Sequence, residues 1–363
     1  MPNISRQRID TAADGGAPHQ PLPFRSIRPL GPLSFDLRHT PVIPAHVREI
    51  FATGFAIERE DAKAAGTIGF MTRALVNATM PYKNPRVDVF DRKNGDFHLR
   101  MMAGYQGGLP FGVYPRLLLS WISTEAVRTH DPRIELGISL RAFLREVLDL
   151  RSDGGGVRGS GSAVTEQMKR LFGTFITAQY TGSLLARGFA FKGVQIADEV
   201  HIDASVEDLF QAEEAEMVGA GQPLWTPQAT HEAGQWRSHV RLSDNFYREC
   251  IDRPVPIDLR AYKALRRSPV AMDVYTWLTW RVSHLRRPIT IRWEQLMMQF
   301  GSQVRDNDWD QAVRNFRKQF LRALSLVIPL YPQAKVDLVD VGLVLSPSPP
   351  HVPRQSADQT RLF

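Results

Sequence analysis

The spacing of apolar positions divides the chain into two similar series of elements. From Ala45 to about Met80, the residues Val47, Ile50, Phe51, Phe55, Ile57, Met71, Leu75 and Val76 recur at helical intervals and predict helix. Residues 86–103 alternate polar and apolar types around Lys93-Asn94-Gly95, and Asn-Gly between two such runs predicts a hairpin. A turn over 107–112 leads into an apolar helix over 113–128 with Tyr114, Leu117, Leu118, Trp121 and Ile122, followed by Pro132. Ser139 is placed to cap a short helix over 140–149. A glycine-rich stretch over 153–161 precedes a third helix over 163–172, and residues 173–201 read as β-rich.

The second series begins after an acidic stretch over 203–223, with Asp203, Glu207, Asp208, Glu213, Glu214 and Glu216. Residues 239–242 read as a strand, and Ser243 is placed to cap a helix over 244–251. Pro254 and Pro256 break the chain, and Asp258 can cap a helix reaching about Arg267. Ser268 before Pro269 marks the start of a helix to about Leu285, carrying Val274, Tyr275, Trp277, Leu278 and Trp280. Pro288 stops it. A short strand over 289–291, a short helix over 293–300 ended by Gly301, a long helix over 308–326 and a hairpin over 335–345 complete the series.

Both series run long aromatic helix, short apolar segment, short helix, longer helix, hairpin. Val113-Tyr114 with Leu118 is echoed by Val274-Tyr275 with Leu278, and Ile138-Ser-Leu-Arg141 by Ile289-Thr-Ile-Arg292. A shared order with local echoes points to duplicated domains. Three helices and a hairpin wing are the parts of a winged helix-turn-helix, whose third helix enters the DNA major groove. The expected fold is α+β, with two tandem winged-helix-type domains over 45–202 and 236–346. An acidic insert over 203–235 would join them. A disordered arm over 1–44, rich in Pro, Gly and polar residues, and a tail over 347–363 would flank them.

Charge sharpens this picture. The net charge of the 363 residues is +7, and residues 236–363 hold 20 Lys/Arg against 12 Asp/Glu, so the excess sits in the last third. Such asymmetry fits a densely anionic partner, nucleic acid or a membrane surface, and also ordinary solubility. No apolar run is long enough to span a bilayer and no secretory signal is visible, so a cytoplasmic location without a membrane partner is expected. The one cysteine, Cys250, allows no disulfide framework or multi-cysteine metal site and reads as a packed helix thiol.

In the 308–326 helix, Val313, Phe316, Phe320 and Leu324 form a core stripe. Arg314, Arg317, Lys318 and Arg322 fall mainly on another side, with Gln311 and Asn315 beside them and no acid between Gln311 and Leu324. Arg can bond guanine in bidentate fashion, and Asn or Gln can do so with adenine, so these are the residue types of a DNA-reading helix. A plain solvated helix also accounts for them. Arg260, Lys263, Arg266, Arg267, Arg286, Arg287 and Arg292 suit phosphate contact or solvated helix ends. The matching helix of the first series offers Thr165, Glu166, Gln167, Lys169 and Arg170, which fit DNA contact or a structural role.

Catalytic signatures are missing. There is no phosphate-binding loop with its lysine, no His-Glu-x-x-His pair and no Gly-x-Ser-x-Gly. Asp306, Asp308 and Asp310 sit where a helix N-terminus favours acids and need no metal. No cofactor and no catalysis are expected, although a tyrosine nucleophile would leave no pattern.

Five blocks carry a family likeness. They are Gly108-Leu-Pro-Phe-Gly-Val-Tyr-Pro-Arg-Leu-Leu-Leu-Ser-Trp121, Phe246-Tyr-Arg-Glu249, Pro254-Val-Pro-Ile-Asp-Leu-Arg-Ala-Tyr-Lys-Ala-Leu-Arg-Arg-Ser-Pro269, Asp273-Val-Tyr-Thr-Trp-Leu278 and Phe316-Arg-Lys-Gln-Phe-Leu321. In this order and spacing they resemble the plasmid-encoded RepA family of replication initiators. The resemblance implies a bacterial protein that binds repeated double-stranded DNA sites at an origin and helps open AT-rich DNA. It also implies recruitment of the host initiator and replicative helicase, and a homodimer that represses its own gene. It supplies no catalytic residues. A winged-helix transcriptional repressor without a replication role fits the same residues.

Overall fold

A computed structural model describes residues 43–77, 79–95, 97–136, 160–180, 190–201, 239–252, 254–301 and 309–353. The helix expected over 140–149, the insert over 203–235, residues 1–42 of the arm and the tail beyond 353 lie outside the described residues.

Helix α1 (Ala45–Arg59) forms as the spacing predicts, but helix does not continue to Met80. Ile68–Thr72 is strand β1, followed by the short helix α2 (Arg73–Asn77). The reason is tertiary. Strand β1 pairs antiparallel with Pro254–Asp258, strand β9, with Met71 opposite Val255 and Gly69 opposite Ile257. The two prolines read as chain breaks therefore lie within a strand. Only alternate residues of a two-stranded ladder donate toward the partner, so prolines two apart share the outward parity. The Asp258 N–H, on that same parity, donates outward to Tyr275 Oη at 2.9 Å.

A four-stranded antiparallel sheet has the order β2 (Val89–Asn94), β3 (Phe97–Ala103), β5 (Thr174–Tyr180), β6 (Ala190–Gln195). Its first hairpin turns at Gly95, in the left-handed region at φ 59°, where the Asn-Gly signal placed it. Helices α3 (Val113–Thr129) and α4 (Ser160–Phe172) pack against each other. A second sheet orders β4 (Arg133–Glu135), β8 (His239–Leu242) and β7 (Ala197–His201).

Local caps set the helices that follow. Ser243 Oγ accepts from the Phe246 N–H at 3.2 Å to start α5 (Asp244–Asp252). Asp258 accepts from the Arg260 N–H to start α6 (Leu259–Ala264), and Ser268 accepts from the Ala271 N–H to start α7 (Pro269–Ser283). Then come β10 (Ile289–Arg292), α8 (Trp293–Phe300), α9 (Trp309–Val327), a 3-10 turn over Ile328–Leu330, β11 (Val336–Val339) and β12 (Gly342–Leu345). Strand β12 lies between β10 and β11. Gly342 is required there, because a Cβ would lie 1.9 Å from the Ile291 carbonyl oxygen. The mixture of helices and antiparallel sheets is the α+β class expected.

Elements before and after the acidic insert share a core. Arg116, in the first turn of α3, is fully buried. Its Nε and Nη2 donate to the Asp273 carboxylate of α7 at 2.8 and 2.7 Å. The remaining N–H groups donate to the carbonyls of Met80, Pro81 and Gly112, so all five donors are used. Burial pushes the Asp273 carboxyl up while the guanidinium pulls it back. Nearby, Gln299 of α8 donates to the Val76 carbonyl at 3.1 Å and accepts at its own carbonyl from Thr79 Oγ at 3.0 Å. Buried Arg92 donates to the Gly301 carbonyl.

Helix α1 packs on α6 and the 3-10 turn. Glu49 pairs with Arg266 at 2.6 Å, and a Cβ on Gly54 would meet the Pro329 carbonyl oxygen at 2.2 Å. Past β12, His351 returns to the core, 2.7 Å from Tyr275 Oη and with its ring centroid 4.6 Å from that of Tyr331.

Two stability predictions follow from these contacts. Asp273→Asn or Arg116→Ala leaves an uncompensated buried group, and each should destabilise the fold by about 3–5 kcal/mol in urea unfolding. Burial lowers the His351 pKa from an ordinary 6.5 to about 4. Between those values the unfolded chain binds the proton and the native one does not, so stability is intact above pH 6.5 and falls as the pH drops toward 4. The loss should be on the order of 2 kcal/mol, His351 being partly exposed. Unfolding midpoints across that range should show it, and His351→Gln should flatten the dependence.

Candidate nucleic-acid interface

Helix α9 turns Ala312, Phe316, Phe320, Ala323, Leu324 and Val327 inward. Phe320 is the anchor. Its ring lies 5.4 Å from Phe300, 6.3 Å from Trp293 and 6.5 Å from Trp277. With the inward stripe fixed by this aromatic cluster, the outward stripe is fixed by helical geometry. At about 100° per residue, Gln311, Arg314, Asn315, Lys318 and Arg322 share an arc of about 100° opposite the buried side. All five are exposed.

These side chains are partly organised among themselves. Arg314 Nη2 donates to Gln311 Oε1 at 2.8 Å, and Gln311 Nε2 donates to Asn315 Oδ1 at 3.0 Å. Among the described residues, no carboxylate pairs with Arg314, Lys318 or Arg322. Exposed Gln319 flanks the arc and was not singled out from the sequence. Its angular place beside Asn315 on a helical wheel was the available signal.

Arg317 belongs to the flank. Its guanidinium carbon sits 5.2 Å from the centre of the Trp293 ring, the distance of a cation–π contact. Trp293 in turn donates from Nε1 to the Asp340 carbonyl and from its backbone N–H to the Val341 carbonyl, both at 3.0 Å. Arg317, the start of α8 and the β11–β12 turn are thus one packed unit. That hairpin exposes Asp337, Leu338, Asp340 and Val341, so α9 and the neighbouring loops, not the hairpin, provide the positive potential.

The other candidate cations separate into two groups. Arg267, Arg286, Arg287 and Arg292 are exposed, the last three around β10 before α8. Arg266 is tied to Glu49 and Arg260 to Asp258 at 2.7 Å, so both are committed to holding the fold. In the first half, Arg170 pairs with Glu166 at 2.9 Å over the Phe111 ring, and Gln167 turns inward to accept from the Phe111 N–H. Of that helix's basic candidates, Lys169 stays exposed. The thiol of Cys250 is buried and pushed up to about 12, as suits a packed side chain. Among the described residues there is no cluster of metal-ligating side chains, and no helix is long and apolar enough to cross a membrane.

Comparison with known proteins adds the family. Two crystal structures of domains 2 and 3 of RctB are similar at 12% and 11% identity, with TM-scores of 0.41 and 0.39. Each covers 75% of this chain, and 95% and 94% of its own. No curated protein sequence matches. The model of the plasmid-encoded RepA protein family matches residues 109–218 and 207–295, together just over half of the chain. Arg116 and Asp273 fall inside the match, while α9 lies beyond its end. By that match, the chain belongs to the plasmid-encoded RepA family.

Proposed function

We propose that this protein initiates plasmid replication by binding repeated double-stranded sites at an origin, with α9 in the major groove. The observation that carries the reading is the exposed arc of Gln311, Arg314, Asn315, Lys318 and Arg322, which holds no acid. Elements α7 to β12 have the order of a winged helix, and the sheet order β10-β12-β11 suits it. On this reading α3 to β6 is a second such unit, with the acidic insert between the two in sequence and the shared core joining them. Arg286, Arg287 and Arg292 contact phosphates, positioning α9 without reading sequence. The protein works in the cytoplasm without catalysis of its own. It hands the opened origin to the host initiator and replicative helicase, and as a homodimer it represses its own gene.

In a gel-shift titration on DNA flanking its own gene, Lys318→Ala or Arg314→Ala should cost about 1–3 kcal/mol of specific affinity. Arg287→Ala should weaken all sequences alike and lower the salt slope by about 1. Unchanged affinity in both α9 variants would remove the reading helix. Arg266→Ala should lower thermal stability and leave affinity near wild type. An origin plasmid that still replicates without the gene would leave the repressor reading in place of the initiator one.

A further inference from the structure

Helix α1 has an outer face the core does not explain. Ile50 and Gly54 are buried against α6 and the 3-10 turn, yet Phe51 and Phe55 are 49% and 65% exposed. Two aromatic rings one turn apart in water are costly on a surface without a partner. Their neighbours give the pattern. Arg48, Phe51, Phe55 and Glu58 follow at intervals of three, four and three, the spacing of a helix–helix seam. Arg48 and Glu58 are exposed, and among the described residues neither is in an ion pair.

This seam is complementary to itself. Two copies of α1 laid antiparallel about a two-fold axis level with Thr53 along the helix bring Phe51 of one copy against Phe55 of the other. The same operation brings Arg48 against Glu58 at both ends. A two-fold interface requires that residue i meet j while j meets i, and this spacing satisfies it for the apolar and the charged pair together. A parallel arrangement would set Arg48 against Arg48 and Glu58 against Glu58.

We infer that the Arg48–Glu58 face of α1 is the docking surface for a second copy of this chain, packed antiparallel. The inference gives the homodimer of the proposed function its surface. It is tested without DNA, so that its failure leaves the DNA reading intact. The helix has 15 residues and is about 22 Å long, so the contact is small and the dimer of micromolar strength.

Sedimentation equilibrium of the full chain from about 0.1 to 100 µM should show a monomer–dimer transition. Arg48→Glu sets Glu against Glu at both ends, and Glu58→Arg sets Arg against Arg. Each should weaken dimerisation by at least about tenfold. The double reversal R48E/E58R should restore it, as should mixing the two single variants in equal amounts. Phe55→Ser should weaken it without rescue by either charge change. These positions are exposed, and matching thermal unfolding midpoints will confirm that the variants fold. A wild-type chain that stays monomeric throughout overturns the proposal. So does a dimer that the single reversals leave unchanged, or a double reversal no stronger than the singles.

Discussion

The guanidinium of Arg116 is the constraint on which the arrangement of this protein depends. Desolvating such a group costs several kcal/mol, and that cost is met only when every donor finds an acceptor. Its acceptors come from three places: the carbonyls of Met80 and Pro81 before β2, the Gly112 carbonyl at the start of α3, and the Asp273 carboxylate on α7. Slipping α3 along α7 by one turn would strand the two N–H groups that reach Asp273. A buried pair adds little net stability over a well-packed apolar replacement. What this one fixes is register, between helices more than 150 positions apart in the chain.

From α7 the constraint passes outward through aromatic packing. Trp277 contacts Phe300 of α8 and Phe320 of α9 edge to face, at 5.3 and 6.5 Å between centroids. Phe320 sets the rotation of α9 about its own axis, and that rotation decides which side chains face water. The exposed basic arc is therefore a consequence of the core. The same rotation takes Arg317 out of the arc and lays it on Trp293, where its charge is spent on holding the hairpin base.

Much of this was legible in the sequence because the signals are local. Ser243, Asp258 and the Ser268-Pro269 pair start helices through hydrogen bonds two or three residues away. Asn94-Gly95 turns a hairpin. Strand β1 was not legible, because Ile68–Thr72 has helical spacing and becomes a strand only through a partner in the other half. The prolines of β9 misled for the same reason. In the candidate site, the arc on α9 followed from periodicity. The loss of Arg266 to Glu49 did not, since the partners lie 217 positions apart. The pairing of Arg170 with Glu166, one turn back, could have been read. So could Arg116 and Asp273, each the one charge in an apolar run, 113–124 and 269–280: a charge in such a run is buried and paired, or the run is not buried.

The contacts of α1 tie its outer face to α9. Gly54 sits against the Pro329 carbonyl, two residues past the last residue of α9, and Glu49 holds Arg266 at the end of α6. Neither contact leaves room for α1 to slide: the first is a backbone approach that no Cβ could enter, the second a short ion pair, only partly exposed. Whatever docks on α1 is thereby held to the element that carries the exposed basic arc, through packed atoms rather than a linker. In a two-fold pair, the separation and facing of the two α9 helices would be set by this packing. Spacing of DNA half-sites would then be a property of the fold, independent of the acidic insert between the two series.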